Sequence, residues 1–146
     1  MLDVYHNETD KLILWRMHGP ISIKEMISAT RAFTVDTDQP AYDHVTIVDA
    51  REAKEPRWSL NDLFDLAHLL HEAFTANKSH LNIYILVETD WKRGEASLFR
   101  SVARMSGSIN VNICHSELEL LTKANLLTKT TRIDSFFPTR TLEIRA

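Results

Sequence analysis

The chain has 146 residues, 44% hydrophobic and 25% charged, with a single cysteine. Such a composition fits one globular domain that buries a core without disulfides or structural metals. A net charge of −3 leaves no electrostatic footprint for nucleic acid, and no apolar run approaches the roughly 20 residues that cross a bilayer.

Met1 to His6 is neither basic nor followed by an apolar run, so no signal peptide is expected. The lone Cys114 fits a reducing cytoplasm. Leu2 to His6 alternates, and Lys11 to Met17 carries Leu12, Ile13, Leu14 and Trp15. Asn7 to Asp10 between them is turn chemistry, which predicts an antiparallel hairpin. Gly19-Pro20 stops its second strand. Ser22 and Glu25 form a capping box, and Ile23, Met26, Ile27 and Thr30 recur at helical spacing to about Phe33. Thr34 to Tyr42, with Pro40, reads as a loop.

His44 to Arg51 organises the rest. Val45, Ile47 and Val48 form a β-branched run without clean alternation, the pattern of a strand buried on both faces. Asp49 and Arg51 put charge where that strand should leave the sheet. Ser59 and Asp62 cap a second helix, with Leu63, Leu66, Ala67, Leu70 and Phe74 on one face. Leu81 to Val87 reads as another central strand, leaving through Glu88, Asp90 and Trp91. Ala96, Phe99, Val102 and Ala103 stripe a third helix. Ile109, Val111 and Ile113 alternate with Asn110 and Asn112, marking a half-buried edge strand. Ser116 and Glu119 cap a short fourth helix to about Ala124. The order ββαβαβαβα predicts an α/β fold, a mixed, mostly parallel five-stranded sheet flanked by helices. The domain spans 1–127. Residues 128–146 form an extension in which Leu142 and Ile144 suggest an extra strand at a sheet edge.

This order resembles the STAS-like domains, specifically the SpoIIAA-like, STAS/SEC14-type bacterial proteins. The segments that carry the resemblance are Thr46-Ile-Val-Asp-Ala-Arg51, Trp58-Ser-Leu-Asn-Asp-Leu63, Glu95 to Met105 and Val111 to Leu121. The resemblance implies a small cytoplasmic regulatory or protein-interaction module rather than an enzyme. It also implies a phosphorylatable serine at the start of the helix after the central strand, a place that Ser59 occupies. Trp58 before it and the lack of a following Gly depart from that pattern.

Ligands of open parallel sheets bind beyond the carboxyl ends of the strands. Asp49, Arg51, Trp58, Ser59, Asp90, Trp91 and Arg93 are therefore the candidate binding residues, on the condition that the two central strands lie adjacent and parallel. Ser59 is the candidate phosphoacceptor, although its plainer role is a helix cap. Trp58 and Trp91 could be anchors of a partner surface or could fold over the core. His68 and His71 lack a further ligand, so no metal is expected from them. Cys114 and His115 are neighbours that a strand would point to opposite faces, which argues against a nucleophile and base. No glycine-rich phosphate loop or serine elbow occurs, and no cofactor is expected. The expected partner is another protein, with a homodimer left open. The alternative is a small-molecule or lipid-type binding protein, which would need a deep apolar pocket.

Overall fold

The computed structural model describes residues 1–34, 43–54, 58–76, 80–105, 107–127, 132–137 and 142–144. Strands β1 (Leu2–Asn7) and β2 (Leu12–Gly19) form the expected hairpin. Gly19 ends β2 with a φ of +62°, a left-handed conformation that glycine reaches without a Cβ clash. Helix α1 (Ile23–Thr34) starts at the reciprocal box: Ser22 N–H donates to Glu25 Oε2 at 2.8 Å, and Glu25 N–H to Ser22 Oγ at 3.2 Å. Of the loop expected over 34–42, residues 35–42 lie outside the described residues.

Strand β3 (Val45–Ala53) runs two residues beyond Arg51, past the point where its charges suggested an exit. Its Ile47 is fully buried. Helix α2 (Leu60–Ala76) opens on the Ser59–Asp62 box, and Leu63, Leu66, Ala67, Leu70 and Phe74 are all buried. Strand β4 (Leu81–Leu86) follows, then α3 (Asp90–Arg104), β5 (Ile109–Cys114) and α4 (Glu117–Lys123). Helix α4 ends on Asn125 at φ 59°: Leu126 N–H reaches Leu121 O at 2.8 Å and Asn125 N–H reaches Thr122 O at 3.2 Å. Those two bonds satisfy carbonyls that the helix end would leave bare.

The sheet order is β5-β4-β3-β2-β1-β6, where β6 is Leu142–Ile144. Strands β2 to β5 are parallel, and β1 is antiparallel to both β2 and β6. The fold is thus the expected α/β arrangement with a mostly parallel sheet. Residues expected to form an extension instead belong to the domain. A 3-10 turn, η1 (Ile133–Phe136), brings Ile133, Phe136 and Phe137 into a core on one sheet face. They join Leu12, Leu14, Ile47, Leu86, Leu120 and Leu121 there. A boundary at 127 therefore cuts through a shared core. The stretch from Ile133 to Phe137 shows no helical or strand period, so its apolar residues gave no sign of their destination.

The other face is covered by α1, α2 and α3, which pack over Ile13, Trp15, Val48, Ile83, Ile85 and Val111. Each strand's alternation thus feeds two separate cores. Among the described residues, no helix is long and apolar enough to cross a membrane.

Candidate functional site

Strands β3 and β4 are adjacent and parallel, with Ile47 opposite Tyr84 and Asp49 opposite Leu86. The condition for a shared loop surface is met, yet Asp49 and Arg51 do not meet Trp58 on it. Asp49 and Arg51 alternate in phase with Ile47, so they face the α4 side. Trp58 packs on the opposite side, against the core beneath the three helices. The sheet itself separates them.

Asp49 is almost fully buried, although a strand-exit position suggested a solvated charge. It persists there because two arginines converge on it. Arg51 Nη2 lies 2.9 Å from its Oδ2 and Arg51 Nε 3.0 Å from its Oδ1, while Arg16 Nε is 3.2 Å from Oδ2. Burial alone would raise the Asp49 pKa. Hydrogen bonds from Arg51 and the charges of Arg51 and Arg16 outweigh it and hold the carboxyl below its usual 3.8. The arginines continue outward: Arg51 Nη1 to Glu117 Oε2 at 3.2 Å, and Arg16 Nη2 to Asp134 Oδ1 at 2.7 Å. Glu117 Oε1 also accepts from Ile133 N–H at 3.0 Å. This network ties η1 and α4 to the sheet. Its chemistry is fastening, since every charge meets an opposite one.

Trp58 is half-buried, and its Nε1–H donates to Ile21 O at 2.9 Å. Ser59 is exposed, its hydroxyl accepting from Asp62 N–H at 3.1 Å. Asp90, Trp91 and Arg93 occupy the first turn of α3, and their side chains lie outside the described residues. Elsewhere, His68 pairs with Glu72 at 3.1 Å whereas His71 Nδ1 meets Ser108 Oγ at 2.8 Å, so the two imidazoles serve different contacts. Cys114 is buried, which pushes its thiol pKa up to about 11, away from nucleophile chemistry.

The feature that the residues do build is a cavity of about 120 Å³ between the sheet and α1, α2 and α3. Its walls are apolar: Met26 from α1, Leu70 and Phe74 from α2, Phe99 from α3, and Val48 and Ile85 from the sheet. Ala50, Ala53 and Ala96 lie where bulkier side chains would fill the space. Trp58 completes the wall at the start of α2. Two polar atoms interrupt it. Trp15 Nε1 and Glu95 Oε2 are buried, and neither has a hydrogen-bond partner among the described residues. Both residues line the cavity. An orphaned buried polar group costs about 1–3 kcal/mol, and native folds keep few of them. Sequence reading placed Trp15 in the second strand of the hairpin and did not single out Glu95. The only local hint was Glu95 standing directly before Ala96, the first residue of the buried stripe of α3.

No protein-family model matches the chain, and no curated protein or solved structure matches it significantly.

Proposed function

We propose that the protein binds a compact, mainly apolar small molecule in the cavity beneath α1, α2 and α3. The observation that carries this reading is the pair of atoms without a partner among the described residues, Trp15 Nε1 and Glu95 Oε2, in an otherwise apolar wall. A few polar groups in an apolar pocket are what fix a ligand's orientation. Trp15 asks for an acceptor, because an indole N–H only donates. Glu95 asks for a hydroxyl, amine or amide N–H. The volume suits a single-ring molecule, since an apolar cavity of about 150 Å³ holds benzene. A whole lipid would require the helices to part. The reading is a cytoplasmic binding protein with no chemical step of its own.

Glu95→Leu tests it. Replacing the orphaned carboxyl by an apolar group of similar size should stabilise the ligand-free protein by about 1 kcal/mol, a rise of about 2–4 °C in melting temperature. Native mass spectrometry of protein purified from its own host should show a bound small molecule in the wild type and none in the variant. A variant that melts lower than wild type would mean that Glu95 is satisfied within the protein. The cavity would then be a packing defect.

A second reading, a regulatory module that docks on a protein, draws on the start of α2. Leu60 is 50% exposed and Phe64 40%, one turn apart and beside Ser59. A phosphate on Ser59 would sit at the helix N-terminus but would repel Asp62, whose carboxylate accepts from Ser59 N–H. Changing both Leu60 and Phe64 to Glu should remove the partner recovered by affinity capture with wild type, with a melting temperature within a few degrees. Undiminished capture would move the interface elsewhere.

A further inference from the structure

At the opposite end of the sheet from the α2 start, three side chains from separate parts of the chain point at one spot. His6 comes from the end of β1, Glu8 from the hairpin turn, and His44 from the residue before β3. His6 Nε2 lies 2.9 Å from His44 Nε2 and 3.0 Å from Glu8 Oε2. The third edge, His44 Nε2 to Glu8 Oε2, is 3.4 Å. Three ligand atoms on one face of a tetrahedron around zinc stand roughly 3.3 Å apart, given bonds of about 2.0–2.1 Å. The His44–Glu8 edge matches that spacing, and the two shorter edges, at 2.9 and 3.0 Å, would open slightly around an ion.

Proton accounting points the same way. Asp43 Oδ1 is 2.9 Å from His44 Nδ1, and an ionised carboxylate can only accept. The proton of a neutral His44 is therefore on Nδ1, which leaves Nε2 as a lone pair facing the cluster. Glu8 also presents only acceptor oxygens. With both imidazoles neutral, as metal ligands require, a single hydrogen on His6 Nε2 serves three close atoms. A cation at the centre would satisfy all three together.

We propose that His6, Glu8 and His44 form a binding site for a divalent transition cation of the zinc class. Two imidazole nitrogens and one carboxylate oxygen suit such a borderline ion better than the all-oxygen shells that calcium and magnesium take. Three protein ligands leave a fourth position for water or another donor. The surroundings hold the ligands in place. Asp43, paired with Lys11, orients the His44 ring from behind, as carboxylates do for metal-bound histidines. Asn7 braces the turn that carries Glu8 by donating Nδ2–H to Asp10 Oδ2 at 3.0 Å and to Phe136 O at 2.7 Å. His44 is 3% exposed, His6 26% and Glu8 74%, so an ion would enter past Glu8 and settle on His44. The site clasps the hairpin turn to the head of the central strand. Neither histidine belongs to a motif, because they come together only through strand placement.

Zinc sulfate titrated calorimetrically into metal-stripped full-length protein is expected to show one bound equivalent and a raised melting temperature. Cobalt(II) should give the strong visible absorption of a tetrahedral ion. His6→Gln should weaken zinc binding by at least about 100-fold, and Asp43→Asn, which touches only the orienting group, by about 10–100-fold. His68→Gln should leave it unchanged. If His44→Gln fails to fold, the more exposed His6→Gln and Glu8→Gln decide the matter. Wild-type binding by His6→Gln, or no binding by the stripped wild type, would overturn the site and leave a plain hydrogen-bonded histidine pair.

Discussion

Deleting residues 128–146 is expected to leave a chain without a cooperative unfolding transition at 25 °C. The deletion removes Ile133, Phe136 and Phe137, at 0%, 5% and 9% exposure, from the core on the α4 side. Burying a side chain of this size contributes about 1.5–3 kcal/mol, so the three together supply roughly 5–9 kcal/mol, an upper estimate. Native domains have only about 5–15 kcal/mol in total. Polar fastenings go too, including Asn7 to Phe136 O and Arg16 to Asp134. So does a ring contact between Tyr5 and Phe137, whose centroids are 6.4 Å apart. Circular dichroism and urea unfolding of the 1–127 fragment check this, with Phe136→Ala in the full chain as the graded control at about 3–5 kcal/mol. A fragment that melts within a few degrees of the full chain would show that the α4-side core closes without the last segment.

Asp49→Ala should cost about 3 kcal/mol, the low end of the range for breaking a buried pair from one side. The low end applies because Arg51 keeps Glu117 and Arg16 keeps Asp134. Melting should fall by about 6–12 °C at the scaling for a chain of this size. The effect carries a pH signature. The Asp49 pKa is lowered on folding, so its stabilisation is fully present above the usual 3.8 and is lost as pH falls through the lower folded value. The gap between wild type and Asp49→Asn should be constant from neutrality down to about pH 4 and close in stronger acid. A pH-independent gap would mean that Asp49 acts by shape rather than charge.

The elements were legible because their signals are local. A capping box spans four residues, and every helix start except that of α3 carried one. Thr89 caps α3 without a side-chain bond, so Asp90, Trp91 and Arg93 read as loop although they begin a helix. The mostly parallel sheet with one antiparallel hairpin followed from alternation and crossover rules, whereas the adjacency of β3 and β4 stood only as a condition. The assembled site was not legible, for a geometric reason. Asp49, Arg51 and Trp58 are close along the chain, but sequence distance does not say which face a side chain takes once a strand runs on to Ala53. The cavity draws on three helices and three strands, and its mark is two hydrogen bonds missing among the described residues, which no pattern of residue types records. Asp49 misled for a related reason: a lone acid in an apolar strand looks like an exit until Arg16 arrives from a different strand to neutralise it.

The pairing of β1 with β6, Leu2 opposite Ile144, also sets a schedule for synthesis. The hairpin of β1 and β2 can form within about 1–10 μs once both strands exist. At a translation rate of about 5–20 residues per second, the partner for the outer edge of β1 arrives on the order of ten seconds later. Through that interval β1 presents unpaired backbone groups, and Leu12 and Leu14 face a core still waiting for Ile133, Phe136 and Phe137. Pairings this distant along the chain form slowly even after release, because loop closure precedes any gain from contact. A nascent chain of this protein therefore passes through a long window in which its sticky side is its N-terminal hairpin. Crowded expression or a slow stretch of late codons would lengthen that window and favour aggregation over folding.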